Sequence, residues 1–395
     1  MKRKAYVQLI LGTLGLLCLG VAYAWSIFVS PLESAFGWDR SQTSMIFTVS
    51  MFCFYLGNIA SGFVSARLKA RTILLASAVL YLSGFFLASN TTTLFQIYIF
   101  YGVFCGFGTG IAYNNILKTV NSWFTSSIGK SSGIMLMGFG SGSMVLGAFV
   151  TMIIQRAGWS TAFRILGILF AVLFTILAFL LKDAPKTERA DTAVQSGRNY
   201  TTGEMLKKSH CWYYFFWGSM LVGVGLATVG HASSCIMEMV NSPGLAALYT
   251  GLLGVANGAG RVIFGTLYDK IGYEKNSWII TVINTAAVLI TAGACFLESP
   301  ALLLAGFLLV GVSFGGSIPC ISAYTKEFFG LKHYGSNVGI MIADGIPSTL
   351  LGPYLIGTIY SSTSSYGIAF SVIFALCIGA LILLALCTRA TAKLK

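Results

Sequence analysis

Residues 257–272 read NGAGRVIFGTLYDKIG and close an apolar stretch that begins near residue 245. Arg261 falls inside that stretch, while Asp269 and Lys270 mark its end. A run of this kind is a membrane-crossing helix if its surroundings agree, and they do. Of 395 residues, 56% are hydrophobic and only 9% charged, and the mean hydropathy is +0.80. A soluble domain carries about 25% charged residues, so most of this chain has lipid for its solvent. Apolar runs of roughly 20 residues, the length that crosses about 30 Å of hydrocarbon, recur from end to end. They cover 5–29, 43–65, 72–89, 94–117, 131–154, 160–181, 211–236, 245–268, 277–297, 301–322, 336–358 and 366–388. The reading is an all-α membrane protein with twelve transmembrane helices.

Lys2, Arg3 and Lys4 precede an apolar run ending in Ala22-Tyr23-Ala24, which imitates a secretory signal. The run is longer than a signal core, and eleven further spans follow, so it reads as a retained first helix. The net charge of +13 reports topology rather than a nucleic-acid partner. With both termini on the cytoplasmic side of the cell membrane, the inner segments hold twenty Lys and Arg, and the outer loops hold only Arg40 and Arg156. That asymmetry fixes the orientation and brings the basic segments to the inner surface of the lipid bilayer. Nine cysteines are scattered without a C-x-x-C pair and read as small packing residues. No metal site and no cofactor is implied.

The longest polar interruption, KDAPKTERADTAVQSGRNYTTGEMLKKS at 182–209, separates six spans from six. It reads as a cytoplasmic linker between an N-terminal bundle, 1–181, and a C-terminal bundle, 210–395. The halves echo each other at one spacing. Gly133-Ile134-Met135-Leu136 returns as Gly339-Ile340-Met341-Ile342 after 206 residues, Trp123-Phe124 as Phe328-Phe329 after 205, and Gly62 as Gly265 after 203. Duplication of an even-numbered unit leaves both copies in the same orientation, which resembles the parallel repeats of major facilitator transporters. That family places G-x-L-x-D-R/K-x-G-R/K after its second and often its eighth helix. Gly265, Leu267, Asp269, Lys270 and Gly272 match the second copy, with Lys275 slightly late. The first copy keeps Gly62, Arg67, Lys69 and Arg71 but has Ala66 in place of its acid. The resemblance implies two pseudo-symmetric six-helix bundles and a gating role for Gly265, Asp269, Lys270 and Arg67.

Few ionisable residues remain inside spans: Lys118, Arg164, His231, Arg261 and Asp344, with Glu238 near a boundary. A charge at mid-membrane costs about 2.5–3.5 kcal/mol on insertion scales, so it faces protein or a water-filled cavity. Arg261 lies eight residues before Asp269, and Asp344 eight after Ser336, which puts both about 12 Å inside the inner boundary. Lys118, five residues before Trp123, sits roughly 7–8 Å in. These three sum to +1 and point to an anionic cargo. A guanidinium offers a carboxylate two parallel donors, and Asn257 stands one turn earlier on the same face. Arg261 either binds a carboxylate or pairs with Asp344. Lys118 either contacts substrate or gate, or snorkels to water. Asp344 is either a fixed charge partner or a coupling residue whose protonation releases the arginine. Arg164 reads as snorkelling, and His231 as a hydrogen-bonded packing residue.

Asn257-Gly-Ala-Gly-Arg261 narrows the resemblance to the N-G-x-x-R signature of the oxalate/formate antiporter branch, relatives of which carry monocarboxylates. Tyr23-Ala24-Trp25-Ser26-Ile27-Phe28, Gly110-Ile111-Ala112-Tyr113-Asn114, Gly230-His231-Ala232 and Glu327-Phe328-Phe329-Gly330 agree with it. The resemblance covers nearly the whole chain. It implies that Arg261 is the carboxylate anchor and that Tyr113 and Tyr23 line the cavity. The oxalate exchanger has a second cation, a lysine, in helix eleven, and that position falls here at Gly345, beside Asp344. The expectation is therefore a monomeric secondary transporter of a small monocarboxylate such as lactate, pyruvate, formate or acetate, by proton symport or anion exchange. An oxalate:formate antiporter is the alternative within the class, and a non-transporting membrane sensor the alternative outside it. No nucleophile–base pair or phosphate loop argues for an enzyme.

Overall fold

The computed structural model describes residues 2–65, 68–124, 128–184, 199–330 and 333–392. Within them ten helical stretches are long and apolar enough to cross a membrane, and no strand occurs among the described residues. Two of the ten, Ile128–Leu180 and Pro243–Phe296, are too long for one crossing: at 1.5 Å per residue each would reach about 80 Å. Each reverses at a glycine, Gly158 at φ +81° and Gly272 at φ +78°. Side chains are strained at such angles, so one glycine does the work of a loop. The described residues thus form twelve spans, six before 185–198 and six after. They make the two pseudo-symmetric six-helix bundles of the expected fold. An even number of crossings leaves the first and last described residues on one face, the terminal face. Linker 182–209 is described only at its ends, where Thr201 and Glu204 form a capping box that opens the short helix Thr202–Leu206.

Four of the spans that start on the opposite face begin on a side-chain oxygen. Asp39 and Thr93 form capping boxes with Gln42 and Gln96. Ser242 and Ser299 accept from the backbone N–H groups of Leu245 and Leu302, with Pro243 and Pro300 just inside the helix. The cap satisfies a donor that the helix leaves orphaned, for about 1 kcal/mol, and proline removes another. Packing sorts the spans by depth. The seventh, Ser209–Val240, is 89% buried over its most apolar window, against 33% for the twelfth, Tyr366–Ala392. The seventh is a core helix, and the twelfth spends its apolar face on lipid. Phe63, Val79, Phe95, Ile168 and Ile382 belong to the same exposed apolar belt.

Two kinds of contact join the bundles. The fifth and eighth spans meet backbone to backbone: a Cβ added to Gly254 would lie 2.0 Å from the carbonyl oxygen of Gly140. On the opposite face the contact is polar. Arg40 holds Glu33 through two bonds, Nε to Oε1 at 2.6 Å and Nη2 to Oε2 at 2.9 Å. It also donates to the Tyr366 hydroxyl and stacks 4.8 Å over the Tyr360 ring. Beside it the Ser41 N–H donates to Ser361 Oγ at 2.9 Å. One layer deeper, His231 Nε2 lies 3.2 Å from Ser44 Oγ and 3.0 Å from the Pro353 carbonyl. Proline 353 leaves the Thr349 carbonyl without its usual helical donor, and Thr48 Oγ1 of the second span donates there at 3.2 Å. First-bundle groups thus clasp the second bundle along this face. Asp269 and Lys270, on the terminal face, are exposed and make no ion pair among the described residues.

The clasp is testable by cross-linking. In Ser41→Cys/Ser361→Cys, with a protease site placed in 185–198, oxidation in membranes should keep the cleaved halves joined on a non-reducing gel, because a disulfide spans such neighbours without backbone movement. Halves that separate without reductant would show that this face is not closed as described.

Candidate functional site

Arg261 is carried near the middle of the eighth span, inside Pro243–Phe296, and it is 4% exposed. The close approach of glycines around it explains why. Gly258 and Gly260 bring the backbones of the fifth and tenth spans against the turn that bears it, so the side chain has no route to lipid. It points instead at the first bundle. Its Nη1 donates to the hydroxyl of Tyr113, on the fourth span, at 3.2 Å. Tyr23 of the first span and Tyr55 of the second are the other phenols within electrostatic reach. The rings are held in place by packing. Phe139 of the fifth span lies edge-on to Tyr23 at 5.0 Å and to Tyr113 at 5.2 Å, and Phe54 is edge-on to Tyr113 at 5.3 Å. A guanidinium from one bundle therefore meets a wall of phenols from the other.

What the guanidinium lacks is an anion. Among the described residues the ion pair is Arg40–Glu33, far from Arg261 in the fold, and Arg261 Nε has no hydrogen-bond partner. One turn earlier, Asn257 is fully buried, and neither its Oδ1 nor its Nδ2 is partnered. Buried polar groups are nearly always satisfied, and leaving one unmade costs about 1–3 kcal/mol. Two neighbouring residues on one helix face that both break this rule, one of them permanently cationic, form a site whose chemistry calls for an anion with hydrogen-bond acceptors.

The other sequence-derived candidates are placed apart from this pair. Asp344, on the eleventh span, is buried, with Oδ2 unpartnered. Its Oδ2 lies against Gly218 of the seventh span, 2.3 Å from where a Cβ would sit, and no ion pair joins it to Arg261. Lys118 is exposed and donates to the carbonyl and hydroxyl oxygens of Ser65 at 3.0 and 2.8 Å, closing the end of the second span. Gly265 faces Pro319, Asp269 and Lys270 are exposed, and Arg67 lies outside the described residues. Arg164 bonds Ser89 and Asn90 near the opposite face. Sequence reading missed Tyr55. It lies nine residues before the end of the second span at Val64, or about 14 Å in, close to the depth of Arg261, and that match was the available signal.

Comparison with known proteins follows the same lines. The family model described as Major Facilitator Superfamily matches residues 10–343 and 215–395. The chain is 22% identical over 339 residues to the oxalate:formate antiporter of Oxalobacter formigenes, covering 85% of this chain and 81% of that one. It is 25% identical over 382 residues to monocarboxylate transporter 12 of Mus musculus, covering 87% and 77% respectively. Among solved structures, a bacterial homologue of the human lysosomal transporter Spinster is alike with a TM-score of 0.76, at 14% identity, over 100% of this chain and 98% of that one. At that identity the likeness speaks for the fold alone.

A buried cation without a counter-charge costs the unliganded protein stability. Arg261→Met, close in volume and free of that cost, should raise the apparent melting temperature of purified protein in carboxylate-free buffer. A lower melting temperature would mean that the guanidinium is already satisfied.

Proposed function

The chain belongs to the Major Facilitator Superfamily, and we propose that it carries a small monocarboxylate, of the lactate, pyruvate, formate or acetate type, across the cell membrane by alternating access. Its relatives and fold are those of transporters rather than enzymes. The observation that carries the substrate class is Arg261: a buried cation with an unpartnered Nε, beside an unpartnered Asn257. A carboxylate would accept two parallel N–H bonds in the plane of the guanidinium, and the Asn257 amide would donate to one of its oxygens or bond a neighbouring hydroxyl. Tyr113 and Tyr23 orient the guanidinium and line the site. Two relatives carry organic-anion names, oxalate:formate antiporter and monocarboxylate transporter 12, which supports the same class.

The two faces support alternating access. The clasp of Arg40, Glu33 and Tyr366 closes the opposite face, and Gly265, Asp269, Lys270 and Arg67 form the gate of the terminal face, with Lys118 bracing the second span beside it. We place both termini in the cytoplasm and the functional unit as a monomer of two bundles, 1–181 and 210–395. Asp344 serves coupling, by carrying a proton in symport or by setting the field of the site in exchange. Oxalate:formate exchange is the second reading, favoured by the relative of that name. A single buried cation suits one carboxylate better than two, because Lys118 is spent on Ser65.

In proteoliposomes Arg261→Gln should abolish uptake of lactate, pyruvate, formate and acetate while the protein still elutes as a monodisperse peak. Tyr113→Phe should weaken apparent affinity roughly tenfold, the worth of a hydrogen bond to a charged group. Uptake by Arg261→Gln at the native rate would refute the anchor. Trans-stimulation by internal oxalate larger than by any monocarboxylate would replace the first reading with the second.

A further inference from the structure

We propose that Cys235 and Cys295 are a redox-sensitive thiol pair: an external disulfide closes them to a bond that ties the seventh span to the ninth and holds the opposite face shut. The pair is independent of the reading of Arg261, and neither thiol belongs to the site described above.

The two sulfurs lie 3.6 Å apart, and both cysteines are free. Other buried cysteines face other chemistry: Cys211 meets the Met341 thioether, Cys320 the Asn276 amide and Cys387 the Tyr324 hydroxyl. The members of the pair differ in access. Cys235 is 2% exposed and lies five residues before the seventh span ends at Val240, about 7–8 Å in. Cys295 is partly exposed, one residue before the ninth span ends at Phe296. Cys295 is therefore the group that attacks first. Its sulfur, on losing its proton, bonds one sulfur of the external disulfide and expels the other as a thiolate. The Cys235 sulfur, losing its own proton, then bonds the Cys295 sulfur and expels the second thiolate. The two released thiolates take up the two protons, so two protein thiols are oxidised and one external disulfide is reduced. In the topology proposed above this end is extracytoplasmic, where disulfides persist.

Position gives the bond its mechanical effect. Two residues before Cys235 the Ser233 N–H donates to Ser26 Oγ at 3.3 Å, and one turn before it His231 meets Ser44. This end of the seventh span thus reaches the first bundle. A cavity of about 280 Å³, bordered by Ile27, Ser30, Ser34, Thr151, Ser233 and Met237, lies against it and leaves it room to move. A bond that forms only where the two sulfurs meet favours this closed arrangement over any in which they part.

The test uses the purified full chain and the small disulfide cystamine. After treatment, denaturation, alkylation and digestion, the peptides holding Cys235 and Cys295 should be found linked by mass spectrometry, and dithiothreitol should separate them. In Cys295→Ser, Cys235 should remain alkylatable. Hydrogen–deuterium exchange across 231–240 and 26–36, the two sides of the contact, should slow about tenfold when wild type is oxidised. It should not change in Cys295→Ser, or in Cys235→Ser if the first variant fails to fold. Cysteines that stay free, or Cys295 capped by cystamine with Cys235 still alkylatable, overturn the pair. A linked pair whose exchange is the same as in reduced protein overturns its hold on the opposite face.

Discussion

The structure is organised around one uncompensated charge. A guanidinium held at mid-membrane, bonded to a phenol and to no carboxylate, is an arrangement that apolar packing alone would not retain. Its cost is several kcal/mol if nothing offsets it. Most of the local architecture keeps that cost in place. Glycines on the eighth span seat neighbouring backbones so closely that the arginine cannot swing to lipid. An aromatic cage of Phe54, Phe139 and Tyr113 then holds the partner side of the contact. Because the cation belongs to one bundle and the phenols to the other, a ligand that binds the cation bears directly on how the bundles sit against each other.

Much of the fold was legible in the sequence, because a bilayer imposes a length and a polarity on every element that crosses it. Helix and membrane span part company where polar residues sit on helices that outrun the membrane. The eighth span was read to end at 268 and the ninth to begin at 277, since Asp269, Lys270, Glu274 and Lys275 look water-facing. The backbone stays helical through all of them except Gly272. The first span was read to stop at 29, yet it continues as Ser26–Phe36 across Pro31, with Glu33 engaged by Arg40.

The site was legible in depth and not in azimuth. Counting 1.5 Å per residue places Arg261 and Asp344 in one layer, but it does not say which way each side chain turns around its helix. Asp344 turns to the seventh span, and only the packing against Gly218 reveals it. Tyr55 escaped for another reason: a search for charges inside spans passes over a phenol. Arg40 was counted as a loop charge for orientation, and its bonds to Glu33 and Tyr366 come from residues 7 and 326 positions away. Contacts between duplicated halves at such separations leave no local trace.

The glycine reversal at 272 carries a mechanical consequence. A helix pair joined by a single residue has no slack, so the segment bearing Arg261 cannot tilt, slide or rotate without dragging its successor with it. The eighth and ninth spans therefore form one bent element, with Arg261 on one arm and exposed apolar residues such as Val282 and Leu289 on the other. A displacement of the outer arm is thus passed on, through Gly272 alone, to the helix that carries Arg261.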